Sequence, residues 1–397
     1  MPGNPDQTEI SSDIRPSLAQ LFLTFARLGL TAFGGPSMIA YVRRVSVEQK
    51  KWLDAESFNG GVALCQMIPG ATAMQVTAYI GLKKRGVLGA AVSFIGFGLP
   101  AFLLMMAFAA LFTVTHNLPA VILAFKGLQA IIVAIVVNAT LTFGRTTLKT
   151  WKQLLIAAFA AAFFGLNVNP VLVIFLAAIV GLVLIKPKQP GARKTVSSIN
   201  YSILKPILAI IATALVGFLL LFIFNRDVFD LSVLLFRIDL TAFGGGFASV
   251  PLMLHEVVDV HHWMDAATFM NGIVLGQVTP GPIVITATFI GYLLHGPLGG
   301  LIATISIFLP SFLMVIGIFP FFDRLRASAY FNKAIGGVLC SFVGLIFTVI
   351  FRFSGNVQWD LRTLLLAGGA LVALLLKADV FWVVVVGLAI SILLFIL

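Results

Sequence analysis

The chain has 397 residues, of which 60% are hydrophobic and 10% charged, and its formal net charge is +11. That much apolar surface excludes an ordinary soluble domain and predicts a membrane protein, in which helices or a closed barrel must span the lipid. The apolar runs are long and unbroken, which favours helices over a barrel, and Lys and Arg lie mostly in short loops, which argues against a nucleic-acid partner.

The chain begins with a polar tail, residues 1–16, that lacks the basic start of a secretory signal peptide. Three apolar arms follow, and Gly and Pro interrupt them. The first arm, 17–33, ends at Gly34-Gly35-Pro36; the second, 55–68, ends at Pro69-Gly70; the third is 71–82. At about 1.5 Å per residue each arm reaches roughly 18–24 Å, which is short of a ~30 Å apolar core. We therefore predict re-entrant helical hairpins whose breaks lie near the middle of the membrane.

Longer apolar runs predict conventional spans after these arms. In the first half they are 86–113, 118–143, 153–166 and 171–185. A basic loop and a single helix, 203–224, come next, and the second half then shows broken arms followed by spans at 297–322, 331–351, 361–376 and 380–397. The predicted organisation is an N-terminal repeat over 17–190, a linker over 191–229 that contains the single helix, and a C-terminal repeat over 230–397.

The two halves share an internal sequence repeat. The segment RLGLTAFGG at 27–35 returns as RIDLTAFGG at 237–245, with seven of nine positions identical. Residues from Trp52 to Gly70 return between Trp263 and Gly281, with the same Asp, Phe, Leu, Gln and Pro-Gly pattern. A repeat of this length indicates two structurally equivalent halves.

The distribution of positive charge predicts that these halves have opposite orientations. In the first copy, Lys and Arg concentrate in the loops 43–51, 83–85 and 144–152. In the second copy the segment equivalent to 43–51 is 254–262, which has neither residue, and the basic residues appear instead at Arg324, Arg326 and Lys333. Basic loops stay on the cytoplasmic side, so the unpaired helix 203–224 inverts the second copy. Arg352 and Arg362, which flank a short external loop, are exceptions.

The glycine breaks are Gly34-Gly35-Pro36 and Gly244-Gly245-Gly246. Small residues in membranes often serve helix packing alone. Their occurrence at matching places in two inverted halves favours functional breaks, because irregular backbone at that depth must be buried or line a cavity. A helix that starts at such a break presents free N–H groups and a positive dipole end to an anion.

A second pair of breaks carries a glutamine. Gln66 precedes Pro69-Gly70, and Gln277 with Thr279 precedes Pro280-Gly281. The simplest alternative is that the amide satisfies a carbonyl freed by the proline. We favour a lining role, because polar groups are costly in lipid.

Basic side chains near the breaks are candidates for substrate contact. Arg27 and Arg237 could bind an oxyanion through the guanidinium fork, form structural ion pairs or extend to the interface, and oxyanion contact and pairing are weighed equally. Lys126 lies inside the span 118–143 and is a further candidate. Asp239, opposite Gly29 in the repeat, could pair with Arg237 or Arg27 or carry a proton, and pairing is the preferred interpretation.

No motif for an enzyme, a cofactor or a metal appears. The sequence has no nucleophile elbow, phosphate loop or paired intramembrane carboxylates. His255, His261, His262 and His295 lack zinc-like spacing and are interpreted as solvated loop residues. Cys65 and Cys340 lie far apart in apolar segments and are interpreted as packing residues.

These features together resemble the long, two-domain form of the chromate ion transporter family. The resemblance rests on the LTAFGG segment at 30–35, Trp52-Leu53-Asp54, Gln66 with Pro69-Gly70, Leu99-Pro100 and their counterparts in the second copy. It implies an inner-membrane carrier that expels chromate, with sulfate as a competitor, using the proton-motive force. The sequence departs from the family pattern at Ala71, where proline is usual, and at 44–47, where Glu-Val-Val is usual.

The resulting hypothesis is an all-α polytopic membrane protein with two inverted repeats that alternates access to a midplane oxyanion site. The site would be formed by the four helix breaks, and the expected partners are an inorganic oxyanion such as chromate or sulfate and membrane lipid; the sequence leaves a homodimer open. Chromate and sulfate are both tetrahedral dianions that such contacts separate poorly. A passive anion channel, a carrier of sulfate or another oxyanion and, less favoured, a membrane-embedded enzyme are the alternatives.

Overall fold

The computed structural model describes residues 15–33, 35–185, 204–321, 325 and 327–395. Within these ranges the regular structure is helical and contains no strand. The α-helices in chain order are α1 (Leu18–Thr31), α2 (Gly35–Arg43), α3 (Ala55–Met67), α4 (Thr72–Thr115), α5 (Pro119–Thr147), α6 (Trp151–Gly165), α7 (Pro170–Leu184), α8 (Leu204–Phe224), α9 (Arg226–Thr241), α10 (Gly246–Met253), α11 (Ala266–Val278), α12 (Thr286–Ile318), α13 (Ala329–Asn356), α14 (Leu361–Leu375) and α15 (Val380–Phe395). Two π-helical segments, Arg44–Gln49 and Leu254–Val260, continue α2 and α10.

The helices form two equivalent sets that pack reciprocally. Helices α1–α7 correspond in order to α9–α15, and α8 has no counterpart. Helix α4 packs against α12, and α5 packs against α13. The α6–α7 pair packs on α13 of the second repeat, while the α14–α15 pair packs on α5 of the first. Such reciprocal contacts are those of two repeats related by a pseudo-two-fold axis.

The first arm of each repeat folds back on itself as a hairpin. The ring of Trp52, beyond the far end of α2, lies 6.0 Å from that of Phe25 in the middle of α1. In the second repeat Arg237 on α9 forms an ion pair at 2.5 Å with Glu256 in the π-helical segment after α10. Helix α1 has 14 residues, or ~21 Å at the standard rise. The first arms therefore re-enter, as the sequence predicts.

The second and third arms form another hairpin in each repeat. The Tyr79 hydroxyl on α4 donates to the Ser57 carbonyl on α3 at 3.0 Å, and a Cβ added at Gly61 would clash with the Tyr79 ring. At Arg85 and Gly86 the dihedral angles leave the helical region, so the first part of α4 belongs to the hairpin and the rest forms a span. Helix α12 bends in the same way at His295 and Gly296.

The order of crossings places the two repeats in opposite senses. Among the described helices, α4, α5, α8, α12 and α13 are long and apolar enough to cross a membrane. The hairpins return to the side they start from. Helices α4 and α5 cross the membrane in opposite directions, so the first repeat ends on its starting side. Helix α8 then crosses alone. The second repeat is therefore inverted, as the charge distribution predicts.

Helix α8 lies at the periphery of the molecule. Its most apolar window has a mean hydropathy of 3.0, and none of that window is buried by the rest of the protein. An apolar helix that the protein does not cover needs lipid as its solvent. The connecting segment 186–203, which includes the basic residues Lys186, Lys188, Arg193 and Lys194, lies outside the described residues.

Candidate functional site

The Pro-Gly breaks of the two repeats meet the ends of the first arms at the contact between the repeats. The Gly70 N–H donates to the Ala242 carbonyl at 2.9 Å, and the equivalent Gly281 N–H donates to the Ala32 carbonyl at 3.1 Å. Each bond joins a break in one repeat to the C-terminal end of α1 or α9 in the other. The predicted convergence of interrupted helices thus occurs through a reciprocal pair of backbone hydrogen bonds, which we call the tip contact.

Glycine is required on both sides of the tip contact. Gly70 has φ +113° and Gly281 has φ +121°, values that L side chains rarely adopt. A Cβ at Gly70 would lie 2.0 Å from the Ser311 Oγ, and one at Gly281 would lie 2.9 Å from the Ala101 Cβ. Both backbone conformation and space exclude a larger residue here.

A buried polar network lies beside one of the two hydrogen bonds of the tip contact. Asp239 is fully buried, and its Oδ2 accepts hydrogen bonds from the Ser311 N–H at 2.8 Å and the Ser311 hydroxyl at 2.7 Å. The Ser311 Oγ in turn accepts from the Ala71 N–H at 2.9 Å. The expected pairing of Asp239 with an arginine is therefore wrong: its neighbour Arg237 pairs with Glu256 instead.

Gln75 completes this network. The side chain is fully buried, and its Nε2 donates to the Pro69 carbonyl at 2.6 Å and lies 3.4 Å from the Ser311 carbonyl. Neither Gln75 nor Ser311 was among the residues predicted from the sequence. The available signal was a polar residue shortly after a proline, since Gln75 lies six residues after Pro69 and Ser311 directly follows Pro310.

The two predicted glutamines occupy different environments. Gln66 is exposed, whereas Gln277 is 9% exposed and its Nε2 is buried without a hydrogen-bond partner. Thr279, also buried, donates from its hydroxyl to the Leu275 carbonyl at 2.7 Å. Gln277 thus offers a free amide donor beside the second break, and Gln66 faces outward from the first.

The glycine breaks lie next to the Pro-Gly breaks. Gly244 and Gly245 have φ of +98° and +92°, and Gly245 adjoins Thr72 at the start of α4 in the other repeat. Gly246, where α10 begins, adjoins Ile283 just beyond Pro282. In the first repeat α2 begins at Gly35-Pro36, and Gly34 lies outside the described residues.

The three candidate cations are in three different settings. Arg27 is exposed on α1, and the described residues provide no acidic partner for it. Arg237 is half-exposed and neutralised by the buried Glu256. Lys126 lies 3.5 Å from Asp360, the residue that caps α14. The pKa of Asp360 is lowered, mainly by the backbone N–H of Thr363 and to a lesser degree by Lys126.

Lys126 lies away from the breaks. One turn further along α5, the Gln129 amide donates to Asn271 at 2.8 Å. Asn271 is in the first half of α11, whereas the break follows the last residue of that helix. The structure therefore brings the Gly and Pro breaks together and leaves Lys126 near the opposite end of α11.

One histidine differs from its sequence interpretation. His255 is 5% exposed and its Nδ1 lies 3.6 Å from Asp259 Oδ2, so it is not a solvated loop residue. It belongs to the π-helical segment, and the centre of its ring lies 5.9 Å from that of the Phe164 ring. No group of three metal-ligating side chains occurs in the described part of the chain. Cys65 and Cys340 are buried and free, as predicted for packing residues.

The comparison with known proteins finds the same duplicated unit. A family model described as chromate transporter matches residues 19–182 and again 229–392. The chain belongs to the chromate transporter family. The two matches cover the two structural repeats and leave α8 between them, so the family signature is the duplicated unit itself.

Three relatives match over most of their length. An uncharacterized transporter of Methanocaldococcus jannaschii is 40% identical over 385 residues, 95% of this chain and 94% of the relative. A probable chromate transport protein of Synechococcus elongatus is 29% identical and covers 90% of both chains. A chromate transport protein of Pseudomonas aeruginosa is 30% identical over 83% of this chain and 79% of its own length. No solved structure matches this chain.

Proposed function

We propose that this protein is a secondary transporter of the inner membrane that exports chromate, driven by the proton-motive force. Two of the relatives are named as chromate transport proteins. The observation that carries the mechanism is the tip contact, in which breaks from two inverted repeats hydrogen-bond to each other. Inverted repeats that meet at such breaks are the structural basis of alternating access.

The tip contact uses the donors that an oxyanion needs. The N–H groups of Gly70 and Gly281 now donate to the carbonyls of Ala242 and Ala32. When the hairpins part, these N–H groups lose their partners in a site with little water. Oxygens of a tetrahedral anion would then replace the two carbonyls, and the dipoles of α4 and α10, which begin beside the breaks, would favour its negative charge.

Side chains add orientation and charge to this site. The Gln277 amide has an unpartnered buried Nε2 beside the second break, so it can donate to an anion without first breaking a bond. Arg27 has no acidic partner among the described residues, whereas Arg237 and Lys126 are neutralised by Glu256 and Asp360. We therefore assign Gln277 and Arg27 the larger share of substrate contact.

Sulfate is the second candidate substrate. Backbone N–H groups and an amide recognise tetrahedral geometry and negative charge, which chromate and sulfate share. The site therefore supports transport of both anions, with discrimination set by small differences in size.

Transport into inside-out membrane vesicles tests this proposal. An energised vesicle containing the protein should accumulate radiolabelled chromate above its outside concentration, and a protonophore should abolish the gradient. Unlabelled sulfate should compete, and phosphate serves as a tetrahedral comparison. Equilibration without accumulation would instead indicate a passive channel, and accumulation of sulfate without chromate would assign the protein to the sulfate carriers.

A further inference from the structure

Asp239 is a buried carboxyl group that no cation among the described residues neutralises. It is fully buried, and its Oδ1 has no hydrogen-bond partner. Both of its hydrogen bonds come from Ser311 and reach the same oxygen, Oδ2. A buried carboxylate with one oxygen unsatisfied is costly in a medium of low dielectric constant.

The charged and titratable groups of the surrounding helices do not reach Asp239. On α9 itself Arg237 pairs with Glu256, which lies beyond α10. Other titratable side chains on the elements around it are Arg226, Asp227 and Asp230 on α9, Lys205 on α8, Tyr292 and His295 on α12, and Tyr79, Lys83, Lys84 and Arg85 on α4. Among the described residues, none of these forms a hydrogen bond or ion pair with Asp239. A proton is therefore the simplest neutralising partner.

A second unsatisfied acceptor lies on the other side of Ser311. The Gln75 Oε1 is buried without a partner, and the Gln75 Nε2 lies 3.4 Å from the Ser311 carbonyl. Two buried acceptors of the same network, the Asp239 Oδ1 and the Gln75 Oε1, therefore have no donor. Protonation of Asp239 at Oδ1 would neutralise the carboxyl and turn one of these acceptors into a donor.

The network is attached to both sides of one tip bond. The Gly70 N–H and the Ala242 carbonyl form that bond. Ala71, which follows Gly70, donates to the Ser311 Oγ, and the Ala242 N–H donates to the Asp239 carbonyl at 3.3 Å. A change in the Asp239–Ser311 pair therefore acts on both partners of the bond.

The first repeat has no room for an equivalent acid. Gly29 occupies the position of Asp239, and a Cβ there would lie 2.3 Å from the Phe97 carbonyl oxygen. Ala101 occupies the position of Ser311. The network is thus a single site in the chain and not a shared property of the fold.

We propose that Asp239 is the proton-binding site of the transporter, and that proton binding and anion binding exclude each other at the tip contact. In the proton-bound state, the Asp239 carboxyl completes the network and holds the tips together. In the anion-bound state, the tips are parted and the carboxyl has released its proton to the aqueous side that the open site faces. This assignment rests on the proposed function and adds exchange of one proton per cycle at this site.

The test compares gradient-driven accumulation with simple exchange. The full chain is reconstituted in liposomes with the membrane potential clamped at zero and the lumen one pH unit more acidic than outside. One coupled proton should then give about tenfold accumulation of radiolabelled chromate. Asp239→Asn should abolish this accumulation, and because its neutral amide stands in for the protonated carboxyl, it should also slow chromate exchange at equal pH. The matched control is Asp227→Asn, an exposed acid of the same helix, which should behave as wild type.

Asp239→Asn that still accumulates chromate as wild type does would overturn the assignment. A second measurement covers a variant that loses both activities. Infrared difference spectra of the purified full chain between acidic and alkaline pH should contain a protonated-carboxyl band that Asp239→Asn removes and Asp227→Asn retains. If wild type lacks that band, or if it persists in Asp239→Asn, Asp239 does not bind the proton. This readout is independent of chromate, so it still decides the assignment if wild type transports no chromate.

Discussion

At the scale of single residues, the centre of the molecule depends on backbone groups more than on side chains. The two hydrogen bonds of the tip contact are made by N–H and carbonyl groups, and the glycines allow those groups to approach. The net contribution of one such hydrogen bond to the free energy of folding is only about 0.5–1.5 kcal/mol. Such a contact can hold the repeats together and still be broken during a transport cycle.

Alanine at the tip glycines should impair both stability and transport. Gly70→Ala and Gly281→Ala force a positive φ on an L residue, at a cost of about 1–3 kcal/mol, and also place a Cβ against a neighbouring side chain. The midpoint of thermal unfolding in detergent should fall, and chromate exchange should fall with it. Gly60→Ala is the control, because a Cβ at Gly60 meets no atom within 4 Å. Equal behaviour of all three variants would show that the tip geometry is unimportant.

Ser311→Ala should destabilise the contact between the repeats. The substitution removes one donor from Asp239 and leaves the Ala71 N–H without its acceptor, which costs about 1–3 kcal/mol for a buried group. Ser341→Ala is the matched control, because that buried hydroxyl bonds only the Val338 carbonyl of its own helix. Thermal unfolding in detergent compares the two. A smaller effect at Ser311 than at Ser341 would argue against the network.

At the scale of helices, short hairpins are held by side chains of long spans. Near the end of α13, the Arg352 guanidinium binds Asp259 of the π-helical segment, Asn167 at the α6–α7 turn and the Phe164 carbonyl. Its Cζ also lies 4.6 Å from the centre of the Phe164 ring. One arginine therefore joins hairpins from both repeats at a single level of the molecule.

A double-mutant cycle should detect this link. Arg352→Gln and Asp259→Asn should each lower stability, and their combined effect should be smaller than the sum by about 0.5–3 kcal/mol, the range for residues in contact. Thermal unfolding of wild type, the two single variants and the double variant measures the stabilities that enter the cycle. Arg226→Gln, at an exposed cation beside Phe222, is the control and should not couple to Asp259→Asn. Strict additivity of Arg352 and Asp259 would contradict the structure.

Some features of the helices could be predicted from local sequence, and others could not. Breaks at Gly and Pro, arms shorter than the membrane and the single connecting helix all follow from residue type and length, and the structure contains them. The π-helical segments and the burial of His255 do not follow, because they depend on how the returning chain packs against its own hairpin. The partners of Asp239 could not be predicted either, since Ser311 lies 72 positions away.

At the scale of the whole molecule, two similar repeats produce an asymmetric centre. The backbone contacts are reciprocal, yet Asp239, Ser311 and Gln75 occupy one side, and Gly29 and Ala101 stand at the positions equivalent to Asp239 and Ser311. The sequence repeat predicts the symmetric part, because identical motifs form identical breaks. The asymmetric part requires the packing of α4 against α12, which brings positions from opposite halves of the chain together.

The opposite orientation of the repeats is the central claim, and cysteine labelling tests it most directly. Lys51 and His262 are equivalent exposed residues, each with φ +51°, and the native Cys65 and Cys340 are buried. Single Lys51→Cys and His262→Cys variants are treated with a membrane-impermeant maleimide in right-side-out and inside-out vesicles. We expect Lys51→Cys to react only from the cytoplasmic face and His262→Cys only from the outer face. Reaction of both variants from the same face would contradict the inverted arrangement.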